Sequence, residues 1–158
     1  MSKRVPGGDG SHPLKPKVPA PYGATEEPTV WHEITDSDAL KEWMEEMACF
    51  HDSCIKEIQY ISGAFVNDRL MMHPVNSRRI LRVLILRQCR ENSAVELEFE
   101  GLRYCRLSPV DETYDCIIGE ASLAFRDGGV CWRDVEETRP EEEGDTLIRA
   151  ARLRWRTV

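Results

Sequence analysis

The chain reads as an α+β protein, one N-terminal helix packed on a curved, mostly antiparallel β-sheet, and three features predict it. One stretch of helical periodicity, residues 36–49, precedes a series of short β-branched and aromatic runs. Turn residues punctuate those runs at roughly eight to twelve positions, the spacing of hairpin-connected strands. No strand alternates with a helix at the spacing of a βαβ crossover, which disfavours a doubly wound nucleotide-binding fold.

Residues 1–29 form a leader apart from this pattern. Six of the nine prolines lie in it (Pro6, Pro13, Pro16, Pro19, Pro21, Pro28), with Gly7, Gly8 and Gly10 and few large apolar groups. Such a segment buries too little surface to offset its ordering entropy, so an extended, disordered leader is expected ahead of one folded domain at 30–158. Its first residues carry charge with no apolar stretch behind them, unlike a secretory signal.

The folded part opens with the helix. Thr35 is the expected N-cap, with Asp38 three residues on, and Asp36 and Asp38 suit the positive end of the helix dipole. Leu40, Trp43, Met44 and Met47 share one face; Lys41, Glu42, Glu45 and Glu46 take the other.

Strands are expected at 54–66, 69–74, 79–88, 94–107 with a break at Gly101, 114–126, 130–135 and 147–157. Asn67-Asp68 and Asp127-Gly128-Gly129 are turn chemistry between them. Val95, Leu97 and Phe99 alternate with Glu96, Glu98 and Glu100. Near the C-terminus, Leu147, Ala151, Leu153 and Trp155 oppose Arg152, Arg154 and Arg156. If these two strands are neighbours, the glutamate and arginine rows pair across the ladder; if not, they form a charged recognition surface. Glu136, Glu137, Glu141, Glu142, Glu143 and Asp145, interrupted by Pro140, read as a solvated loop.

Composition excludes several functions. A net charge of −7, with only Lys41 and Lys56 as lysines beyond the leader, is unsuited to neutralising phosphates and favours a basic protein partner over nucleic acid. The longest apolar run, Val83-Leu84-Ile85-Leu86, is far short of the ~20 residues of a bilayer crossing. A cytoplasmic protein is the expectation. Six scattered cysteines without CxxC pairs (Cys49, Cys54, Cys89, Cys105, Cys116, Cys131) read as buried free thiols. Phosphate loops, nucleophile elbows, HExxH and dinucleotide fingerprints are missing, and no cofactor is expected.

The densest chemical vocabulary is Cys49-Phe50-His51-Asp52-Ser53-Cys54, at the junction of helix and sheet. Cys49, His51 and Cys54 could ligate zinc, though a structural site wants a fourth ligand, and no metal is assigned. His51 and Asp52 could instead activate Cys54 as a nucleophile, but adjacent strand residues point to opposite faces. The simplest alternative has Phe50 in the core while His51 or Asp52 bonds backbone groups where the helix stops.

Phe50-His51-Asp52-Ser53-Cys54-Ile55-Lys56-Glu57, followed by Tyr60-Ile61-Ser62-Gly63-Ala64-Phe65-Val66, resembles a group of small bacterial proteins with an F-H-D-S-x-I element between an N-terminal helix and a β-rich body. FHD elements similar to it occur in some immunity-protein families of polymorphic toxin systems. The resemblance implies a cytosolic, non-enzymatic binding protein that neutralises a toxin, and assigns no catalytic role to His51 or Asp52. With the acidic balance it points to a basic partner met by Glu96, Glu98, Glu100, Glu136, Glu137, Glu141, Glu142 and Glu143. The runner-up is a small metal-dependent or thiol enzyme centred on His51, Asp52 and Cys54.

Overall fold

In the computed structural model, residues 30–158 are described, and the leader assigned to 1–29 lies outside them. The elements run β1 (His32–Ile34), α1 (Ser37–Glu46), a short turn of helix (Ala48–Phe50), β2 (Ser53–Ile61), β3 (Phe65–Val66), β4 (Met72–His73) and β5 (Ile80–Arg87). They continue with β6 (Ala94–Glu100), β7 (Tyr104–Arg106), β8 (Ser122–Arg126), β9 (Gly129–Arg133), β10 (Leu147–Ala150) and β11 (Arg152–Thr157). The α+β class holds, but the strands divide among separate antiparallel sheets instead of one curved sheet. A five-stranded sheet has the order β1-β11-β6-β5-β2, a four-stranded sheet β7-β10-β9-β8, and β3 and β4 pair by themselves.

The division occurs at one corner. Val95, Leu97 and Phe99 pair with Thr157, Trp155 and Leu153, and beyond Gly101 and Ala151 the same two chain segments pair again as β7 and β10. Gly101 takes φ of +63°, and a Cβ there would lie 2.9 Å from that of Ala151. The break expected at Gly101 is therefore the point where the ladder changes sheet. Its counterpart splits the single strand expected at 147–157, because the Ala151 amide donates to the carbonyls of both Glu100 and Gly101 in a bulge-like kink.

Inward-facing residues of both sheets share one core, including Val83, Ile85, Leu97 and Leu153 on one side and Leu123, Trp132, Ile148 and Ala150 on the other. Leu40, Trp43 and Met44 of α1 join it, and Trp43 packs edge-on to Phe50 at 5.5 Å. The cap of α1 is Asp36, not Thr35. Its Oδ1 accepts from the amides of Asp38 at 3.1 Å and Ala39 at 2.9 Å, while the Thr35 hydroxyl donates to Oδ2. Those bonds, the Ala39 amide first, hold the Asp36 carboxyl below its ordinary range.

The helix ends earlier than its periodicity suggests because Ala48, Cys49 and Phe50 all have positive φ. A right-handed helix cannot pass through three such residues. Strand β1 pairs with the C-terminal β11, and residues 114–121 carry no strand although one was expected from 114. In the segment 69–74 only Met72 and His73 form a strand, and β3 is separated from β2 by Gly63 at φ +91°.

Candidate functional site

The expected glutamate and arginine rows do meet. Arg152, Arg154 and Arg156 face Glu100, Glu98 and Glu96, while Arg82 of β5 approaches Glu98 from the other side. Glu98 is 0% exposed; its Oε2 accepts from Arg82 Nε at 2.6 Å and its Oε1 from Arg154 Nε at 2.9 Å. Burial works against its charge, but the bonds from Arg82 and Arg154 prevail and hold the carboxyl below its usual range. Arg154 and Arg156 also lie over the Trp31 ring, at 4.7 and 4.5 Å. This face is internally neutralised, and Glu98 has no surface to offer a partner.

The loop expected to be simply solvated is instead pinned. Arg133 is buried beside Asp145 at 2.9 Å and donates to the carbonyls of Arg139 and Pro140. Burial opposes the Asp145 charge, yet the Glu142 amide, Arg133 and Arg139 keep its carboxyl below the ordinary range. On the loop's surface Glu137 pairs with Arg126, Glu141 with Arg149 and Arg106, and Glu142 with Arg139. Among the described residues Glu136 and Glu143 make no ion pair.

The FHD element is a fold corner. Phe50 is fully buried, Ser53 is buried, and Asp52 has φ of +55°. Backbone bonds fix the corner on every side: the Asp52 amide to Ile118 O, the Ile118 amide to Ser53 O, the Gln88 amide to Asp52 O and the Ala121 amide to Cys49 O. Arg87 donates to Met47 O at 3.0 Å, where α1 ends. Left-handed geometry at four non-glycine residues costs on the order of 1–2 kcal/mol each, and this hydrogen-bonded frame offsets it.

His51 and Asp52 point outward as an exposed pair, Nδ1 to Oδ2 3.0 Å. His51 has no hydrogen bond to Cys54, whose thiol is pushed up by burial and by its neighbour Cys116. A thiol nucleophile needs the opposite shift. Among the described residues no three His, Cys, Asp or Glu side chains come together as metal ligands, so Cys49, His51 and Cys54 do not form a zinc set. The cysteines are free as expected, but only Cys131 is buried; Cys89 and Cys116 are exposed in loops, and Cys105 is exposed on the edge strand β7, opposite Ile148.

With these features in place, no family model, curated protein or solved structure matches the chain. Among the described residues no helix is long and apolar enough to cross a membrane.

Two surface features remain that the sequence reading did not single out. One is a groove of about 440 Å³ between β2 and the irregular segment 107–118, floored by Ile55, Ile58 and Ile118. Leu107, Val110 and Ile117 on its wall are exposed, and Tyr114 beside it is 75% exposed. Segment 107–120 contains no Lys or Arg, and Glu57, Glu112 and Asp115 make no ion pair among the described residues. Lys56 is the one cation in the lining, and burial pushes the Asp134 carboxyl up despite bonds from Thr146.

The other is an arm, residues 62–79, built on the β3–β4 hairpin between β2 and β5. Asn67 shapes its loop, the side-chain oxygen accepting from the Arg69 and Met71 amides at 3.0 Å each. The Arg78 amide bonds Ser62 O, and Tyr60 reaches Asn76 at 2.8 Å, so the base of the arm is fixed. Phe65, Val66, Leu70, Met71, Met72 and Val75 are all exposed, Leu70 to 86%.

Proposed function

We propose that this domain is a non-enzymatic protein-binding module, and that the groove along β2 and 107–118 is where it engages a basic, partly apolar segment of its partner. The observation that carries this is the combination at one place of exposed apolar walls and carboxylates that no cation of the described chain neutralises. Exposed apolar surface rimmed by polar groups is the usual physical signature of a contact site. The carboxylates supply attraction and orientation for a cationic segment.

The acidic surface is thereby relocated. Glu96, Glu98 and Glu100 serve the internal ladder, whereas Glu57 and Asp115 line the groove and Asp111 and Glu112 are exposed in the segment that walls it. An immunity-type role, blocking a basic toxin in the cytoplasm, is the sharpest form of this proposal. It rests on the resemblance at Phe50–Ile55 and on charge.

Affinity capture from host lysate tests it, using the tagged chain beside an E112K/D115K variant. Recovery of a basic protein by the parent and its loss with the variant is the expected result. Equal recovery by both, or no specific partner with either, overturns the assignment of the groove.

A further inference from the structure

We propose that the groove of one copy takes the arm of a second copy, so that two chains mask each other's docking sites. The proposal rests on the reading of the groove as a docking site and adds its occupant. The carrying observation is a match of charge and apolar character between two surfaces of the same chain.

The arm holds Arg69, Arg78 and Arg79 against one carboxylate, Asp68, and the three arginines are exposed with no ion pair among the described residues. The groove lining holds Glu57, Asp115 and Asp134 against one cation, Lys56, and the segment that walls it adds the exposed Asp111 and Glu112. Both surfaces carry exposed large apolar side chains: Leu70, Met71 and Met72 on the arm, Leu107, Val110 and Ile117 at the groove. Flexible methionines suit an irregular cleft, since an unbranched side chain can follow its walls.

The arm does not fill its own groove. Met72 is 71% exposed and Phe65 57%, and Phe65 stacks on His73 of the same hairpin at 4.5 Å. Backbone and Tyr60 contacts hold its base at the far end of β2 from the Ser53–Ile118 bridge that closes the groove. A neighbour's arm meets no such tether. Because each chain has both surfaces, reciprocal insertion closes into a two-fold dimer, whereas one-way insertion would leave an open series.

Sedimentation velocity of the full chain over a concentration series tests this, alongside an arm variant (R69E/R78E/R79E), the groove variant E112K/D115K and their combination. The wild type is expected to shift from monomer to dimer as concentration rises. Each separate variant should weaken the dimer by about tenfold or more, and the combined variant, with its charges exchanged, should recover it. These positions are exposed, and a thermal melt confirms that the variants fold. A wild type that stays monomeric throughout, or a dimer indifferent to both variants, overturns the proposal. If the wild type is monomeric while E112K/D115K still loses the captured lysate partner, self-association falls and the groove's binding role stands. If the dimer behaves as expected but capture fails, the reverse holds.

Discussion

Replacing Glu98 by Gln isolates the chemistry of the charged ladder without changing its shape. The amide oxygen can keep one arginine, but the amide N–H groups then face the other guanidinium, leaving a donor against a donor. Each lost charge-assisted bond is worth about 1.5–3 kcal/mol. Arg82 and Arg154 are 32% and 30% exposed, so water recovers part of that. A loss of about 2–3 kcal/mol at neutral pH follows, roughly 5–12 °C in Tm for a domain of this size. The pH dependence is the sharper part. The folded carboxyl titrates below its ordinary value, so its stabilisation is present above the unfolded pKa of about 4.3 and is lost as pH falls through the folded one. Urea titrations followed by tryptophan fluorescence at neutral pH and in steps down to about pH 2.5 should show the gap between wild type and E98Q closing as Glu98 protonates. A gap that stays constant with pH, or a variant as stable as the parent at neutral pH, would refute the reasoning.

Two further outcomes follow from the corner at the end of α1. Truncating Arg87 to Ala removes its bond to Met47 O, its bond to Asn92 O and its stacking over Phe50, and should cost about 2 kcal/mol in a denaturant melt; a change under about 0.5 kcal/mol would show the corner does not depend on it. Partial burial raises the thiols of Cys49 and Cys54, so they should alkylate more slowly than the same cysteines in the unfolded chain and speed up with pH. A Cys54 faster than its unfolded counterpart at neutral pH would restore the thiol-enzyme reading.

Most of the elements were legible because their signals are local. Alternation in Val95–Glu100 places each side chain on its observed face, and Asp127-Gly128 makes the turn between β8 and β9. Register came partly for free: once Arg152–Arg156 neighbours β6, opposite charge selects the pairing. The errors arose where a local signal met a distant partner. Residues 114–121 have strand-like composition but pair only through one bridge at Ile118, and the single strand expected at 147–157 overlooks a change of phase at Ala151, with Ile148 and Ala150 inward before it and Leu153 after, where the chain turns into another sheet.

The candidate site was the least legible part. Its cues are omissions: no cation in 107–120, and arginines on an arm with a single acid. Neither forms a motif. The conspicuous FHD element drew attention instead, and its geometry is that of a buried corner, with Phe50 in the core and Ser53 facing Ile118.

The sequence by itself determined the class of fold, the helix face, the inward rows of the strands and the acidic balance of charge, because periodicity and composition act within a few residues. Only the tertiary structure decided which charges are taken and which are left. Glu98 and Glu57 are the same residue type on strands of one sheet, yet one is enclosed by Arg82 and Arg154 and the other lines an open groove. That difference depends on strand order and on a loop packed from far along the chain, and long-range contacts of this kind leave no period to read.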